Sequence, residues 1–159
     1  MIFSKPRLVP VRILTLPVIV LLIGLGAGVA AQKPYPIFTP ENFINNMQLL
    51  GRNFGAVNAS LAKNDFENAK AQLARSRELL AITITFWRDR KKDDAVKILR
   101  DALARMDNLD TALSADKIDP AAASALEKQI DAGCQSCHSI YREQDPETKG
   151  YRFKKGSVQ

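Results

Sequence analysis

Two cysteines and a single histidine are the only soft metal-binding side chains in this 159-residue chain besides three methionines, and they lie together as Cys134-Gln135-Ser136-Cys137-His138. On a helix turning about 100° per residue, Cys137 points roughly 60° to one side of Cys134 and His138 about 40° to the other, with Tyr141 about 20° away. All four share one wedge. Two thiols so placed can add to the two vinyl groups of a porphyrin while the imidazole reaches the iron, and C-x-x-C-H is the pattern for covalent attachment of a c-type haem. Zinc would need a fourth ligand from a carboxylate or a second chain. A thioredoxin-like redox pair would need a strand before the motif and a βαβ setting, and a structural disulfide remains the third alternative.

The amino terminus bears on this choice. Lys5, Arg7 and Arg12 precede an uncharged run from Ile13 to Ala31 that ends in Gly26, Ala27, Gly28, Val29, Ala30 and Ala31. A basic start, an apolar middle and a small-residue end describe a secretory signal peptide cleaved after Ala31. The run is also about long enough for a short membrane span, so an uncleaved anchor is the competing reading; Pro17 and the small residues favour cleavage. Export to the periplasm suits haem attachment. It also reduces 23 basic residues to 20 against 17 acidic ones, a formal +3 in place of +6. No block of like charge remains that would suit nucleic acid, and a membrane contact is expected only if the segment stays attached.

The elements that must position the motif are helices. Thr39-Pro40-Glu41 reads as a cap, a first-turn proline and an acid, opening a helix to about Lys63 with Ile44, Met47, Leu50, Phe54, Val57 and Leu61 on one side. Asn64-Asp65 ends it and caps a second helix, Phe66 to Arg90, that carries Phe66, Ala69, Leu73, Leu80, Ile84 and Trp87. Ile82, Thr83, Ile84 and Thr85 lower its local propensity, but the surrounding period predicts a continuous helix. Asp93-Asp94 should cap a third, running to Leu113, and Arg88 to Lys92 reads as a solvated corner. Asp119-Pro120 opens a fourth, with Ala123, Leu126, Ile130, Cys134, Cys137 and Tyr141 in one stripe, stopped at Asp145-Pro146. No strand shows convincing alternation, and the tail holds two aromatics, Tyr151 and Phe153, able to fold back. Four amphipathic helices predict an all-α, antiparallel four-helix bundle with covalent haem near the C-terminal end of the last helix. The expected segments are a signal peptide over 1–31, an extended leader over 32–39, the bundle over 40–145 and a tail over 146–159.

With the helix order and the carboxy-terminal Cys134-Gln135-Ser136-Cys137-His138-Ser139-Ile140-Tyr141-Arg142, the chain resembles the class II c-type cytochromes, the cytochrome c′ family. Met47-Gln48-Leu49-Leu50-Gly51-Arg52-Asn53-Phe54-Gly55 resembles the first helix of the low-spin, methionine-ligated members. The resemblance implies haem c held by Cys134 and Cys137, His138 as proximal iron ligand and Met47 as sixth ligand. A thioether favours ferrous iron and suits electron transfer; the alternative for Met47 is core packing, as for Met106. Tyr141 is expected against the haem or in the core. Arg142 is expected on a propionate or as an exposed helix end, Arg52 is a weaker propionate candidate, and Trp87 fills the core or covers the haem edge.

The function expected is a periplasmic monohaem electron carrier, not an enzyme, meeting redox partner proteins. The alternative is a cytochrome c′-like protein whose open or labile sixth site binds NO or CO. A peroxidase lacks a second histidine for distal acid/base work, and an electron-shuttling subunit of a larger complex has the same sequence signature. The family's habit of pairing through the first two helices makes a homodimer an expectation. Amino-terminal sequencing of the secreted protein is predicted to begin at Gln32; a start at Met1 would instead favour the anchor.

Overall fold

Thr39 adopts an extended backbone and its Oγ1 accepts a hydrogen bond from the Asn42 amide at 3.2 Å, so the chain turns into a helix where Pro40 has no amide to satisfy. This start opens α1 (Pro40–Leu61) in a computed structural model that describes residues 39–158. The expected signal segment and all of the leader except Thr39 lie outside those residues. Asn64, at φ 55°, reverses the chain, and Asp65 Oδ1 caps α2 (Phe66–Ala81) through the Asn68 amide. Asp119 Oδ1 likewise accepts from the Ala121 and Ala122 amides to start α5 (Pro120–Tyr141). Each such cap is worth about 1 kcal/mol.

Four expectations need correction. The second helix is not continuous: α2 ends at Ala81 and a short α3 (Ile84–Asp89) follows. The cause is the β-branched run, where Thr83 Oγ1 donates to Leu80 O at 2.6 Å and Thr85 Oγ1 donates to Ile82 O, competing with the regular ladder. Asp93 and Asp94 do not cap α4 (Asp93–Leu113); its cap position is Lys92, without a side-chain bond, and Asp94 serves a different purpose described below. The last helix stops at Tyr141, four residues before Asp145.

At Arg142 the backbone becomes extended, and β1 (Arg142–Gln144) pairs antiparallel with β2 (Tyr151–Phe153), aligning Arg142 with Phe153. A small two-stranded sheet therefore stands where no strand was expected. Six residues of turn-forming chemistry close it: Asp145 Oδ1 accepts from the Glu147 and Thr148 amides, and Lys149 sits at φ 59°. Arg152 bridges Glu143 at 2.8 Å and Asp145 at 2.9 Å.

The folded unit is mostly helical. Helix α1 packs on α2, α2 on α4, α4 on α5 and α5 on α1. Their shared core includes Val57, Leu73, Met106, Leu109 and Ile130, all 1% exposed or less. One end is aromatic. Phe43, Phe86 and Trp87 meet Phe153 from β2, and Tyr141 packs on Trp87, with ring centroids 4.4 to 5.8 Å apart across these pairs. The hairpin thus returns the tail to the core. Among the described residues no helix is long and apolar enough to cross a membrane. Phe153→Ala should lower unfolding free energy by about 2 kcal/mol in chemical denaturation, less than a fully buried Phe because the ring is half-buried. A change within about 0.5 kcal/mol would mean that the tail lies outside the cooperative core.

Candidate functional site

A cavity of about 880 Å³ opens among α1, α4, α5 and the hairpin. That volume lies in the cofactor-pocket range of roughly 300–1,000 Å³. Cys134, Cys137 and His138 line it from α5, Met47 and Arg52 from α1, and Trp87, Tyr141 and Arg142 from its aromatic end. All the residues singled out from the sequence therefore border one space.

On the α5 wall, Gly133 lets α4 come close: a Cβ there would lie 3.1 Å from Arg105 Nη1, which donates to Gln129 O at 2.8 Å. Ser136 Oγ donates to Gly133 O and Ser139 Oγ to Ser136 O, folding both hydroxyls onto the helix backbone. The motif's three reactive side chains are left half-buried at the cavity. Both thiols are free, and burial pushes each up to about 11, so they stand neutral at pH 7. Burial, helped by the Arg142 charge, lowers His138 to about 4, leaving a neutral imidazole with a lone pair to give. Its Nδ1 is buried and has no hydrogen-bond partner among the described residues. Among the described residues no group of three or more His, Cys, Asp or Glu side chains converges to hold a metal ion.

The α1 wall is shaped by absent side chains. Met47, Gly51 and Gly55 recur every four residues and all line the cavity, and a Cβ on either glycine would meet nothing within 4 Å. Each glycine costs the helix about 1 kcal/mol relative to alanine. What they leave is a smooth groove beside a half-buried thioether. Met106 differs from Met47 in being 1% exposed, within the core.

Tyr141 is buried against Trp87 and its hydroxyl donates to the Asp94 carboxylate at 2.7 Å. This bond ties the start of α4 to the end of α5. Burial and the Asp94 carboxylate push the Tyr141 phenol up, and the same hydroxyl holds Asp94 down. Arg142 is the C-cap of α5 and also begins β1, and it stacks its guanidinium over Tyr151, 4.1 Å from the ring centroid. Arg52 borders the cavity despite lying about 140° around α1 from Met47. Trp87 is 1% exposed, with Nε1 unpartnered.

Glu127 and Asn58 are among the cavity residues that the sequence does not single out. Glu127, 6% exposed, lines the cavity two turns before Cys134, and Asn58 Nδ2 donates to its Oε1 at 3.3 Å. A carboxylate at an inward position of the last helix was the available signal. Comparison with family models, curated proteins and solved structures gave no match to this chain.

Tyr141→Phe should cost about 1 kcal/mol, small because the Asp94 carboxylate is solvent-exposed. Asp94 is depressed in the fold, so its share is present above its ordinary pKa of 3.8 and lost as pH falls through the depressed value. Tyr141 is raised, so its share is present below 10.0 and lost as pH rises through the raised value. Urea titrations of both proteins should show a constant difference between those limits and a shrinking one in acid. A difference that persists unchanged in acid would remove the charged bond from the explanation.

Proposed function

We propose that this protein is an exported monohaem c-type cytochrome of the class II kind, an electron carrier built as an antiparallel four-helix bundle. The observation that carries the reading is a register. Asn58 on α1 meets Glu127 on α5. If the three connections each reverse the chain, the two helices run in opposite directions. Counting eleven residues from that bond toward the aromatic end then leads to Met47 on one helix and His138 on the other. Eleven residues are within about 20° of three full turns, some 16 Å, so each pair keeps one face. The Met47 thioether and the neutral His138 imidazole, lining one cavity from two helices, would both hold one iron.

The rest of the lining fits a haem. Cys134 and Cys137 would hold it by thioether bonds, and the Gly51 and Gly55 groove admits a flat ring where side chains would block it. Arg142 and Arg52 offer guanidinium donors for propionates. Once bound, the group supplies reversible one-electron chemistry between ferric and ferrous iron. His138 contributes its lone pair without first shedding a proton. Met47 would hold the iron through a soft thioether, which would favour the ferrous state and leave little access for outside ligands. The aromatic end and the hairpin exclude water, lowering the dielectric around the charge.

Absorption spectra of the ferric and ferrous protein test this, with and without carbon monoxide, in wild type and Met47→Leu. The expected wild type is low-spin and indifferent to carbon monoxide, and the variant becomes high-spin and gas-reactive. A wild type already high-spin and gas-binding would make Met47 a packing residue and the protein a cytochrome c′-like gas binder.

A further inference from the structure

We propose that Glu127 is a proton-binding site coupled to the charge of the cofactor in the cavity, so that the protein moves a proton along with its electron. The inference rests on the haem reading above and adds a proton to it. Glu127 takes up one proton from solvent, forming a neutral carboxylic acid, as a redox partner protein delivers one electron to the iron; both leave in the reverse step. Charge in the cavity is then balanced across the cycle.

The geometry is unusual for a carboxylate. Glu127 is 6% exposed, faces the cavity, and has one hydrogen-bond donor, Asn58 Nδ2 at 3.3 Å, among the described residues. Among the described residues no cation pairs with it. On its own helix Asp131 opposes the charged form and Lys128 weakly favours it. From α1 the facing groups are Asn58 and the more distant Arg52; α4 lines the cavity with the uncharged Ile98, Leu99, Ala102 and Met106, and its charged Arg105 lies outside the cavity lining, donating to Gln129 O at 2.8 Å. Toward the hairpin the cavity's charged groups are Arg142 and Arg152, and its other titratable ones Tyr141, Tyr151 and the motif itself. Burial, then Asp131, raise the carboxyl above its ordinary 4.5.

Coupling follows from placement. Seven residues separate Glu127 from Cys134, which puts the two within about 20° of one direction and roughly 10 Å apart along the helix. The charge that changes would sit on iron held by His138, eleven residues or roughly 16 Å along the helix from Glu127, and at an effective dielectric near 20 one added charge at that distance changes a carboxyl's proton affinity by roughly sixfold. Reduction adds negative charge and strengthens proton binding. The reduction potential should therefore fall as pH rises, between the proton affinities of the oxidised and reduced forms.

The experiment is a potentiometric titration of the intact holoprotein over a series of pH values, in wild type, Glu127→Gln and Asn58→Leu. A sixfold change in proton affinity should lower the wild-type potential by about 45 mV in total as pH rises through the window, with a slope well below the one-proton limit of about 59 mV per pH unit. Glu127→Gln keeps an acceptor for Asn58 and should be flat over that window. Asn58→Leu removes the donor to the charged form and should move the window to higher pH. Infrared difference spectra on reduction should show a carboxylic acid band that Glu127→Gln lacks. A slope or band retained in Glu127→Gln assigns the proton to another group and overturns the proposal. Purified protein without covalent haem is visible in its absorbance beforehand and overturns the functional reading itself.

Discussion

An apolar cavity held open between α1 and α5 is the constraint on which everything else depends. Protein interiors pack as densely as organic crystals, and lining atoms that face a void forfeit their dispersion contacts. Gly51 and Gly55 stand at the open side of this space, both exposed, and among the described residues nothing lies within 4 Å of where their Cβ atoms would be. The space is kept by its ends. At one, the aromatic cluster wedges Phe43, Trp87, Tyr141 and Phe153 between helices; toward the other, Asn58 bonds Glu127 across the gap. A flat apolar occupant would restore the missing contacts. That physical need, met by two thiols and an imidazole on the same wall, underlies the haem reading.

The approach of α4 to α5 has the complementary effect. Gly133 removes the one side chain that would hold Arg105 away, just before Cys134, and Tyr141 then clasps Asp94 at the far side of the motif. The motif's helix is thus fixed at both ends of its reactive turn. Burial acts on its chemistry at the same time. Neutral thiols and a neutral imidazole are what a hydrophobic wall favours. Glu127 is drawn the same way, and differs in having no bond-forming role to consume it.

Much of the architecture was legible in local chemistry. Thr39-Pro40 and Asp119-Pro120 announce helix starts because a cap and an amide-free first residue satisfy the same orphan groups. The inward stripe of α4 reads directly from its period. What escaped notice depends on long-range contacts. Arg142–Gln144 looks like the continuation of a helix until Phe153 returns to the aromatic cluster, a pairing set by tertiary packing. The break at Ile82-Thr83 was visible as β-branching, but whether packing would override it depended on two threonine hydroxyls finding carbonyls. Asp94 resembles a cap in sequence and instead bonds Tyr141 47 residues away. Within the site, the motif was plain from spacing, whereas the Asn58–Glu127 bond that sets the register spans 69 residues and leaves no local trace.

The most direct test of the central claim is the intact mass of the unfolded, purified protein, produced in a host that exports it and attaches haem. The account predicts the mass of the polypeptide plus one haem that survives unfolding and organic extraction, and its loss when Cys134 and Cys137 are both replaced by serine. A polypeptide mass without haem, or covalent haem that persists in the double variant, would contradict it.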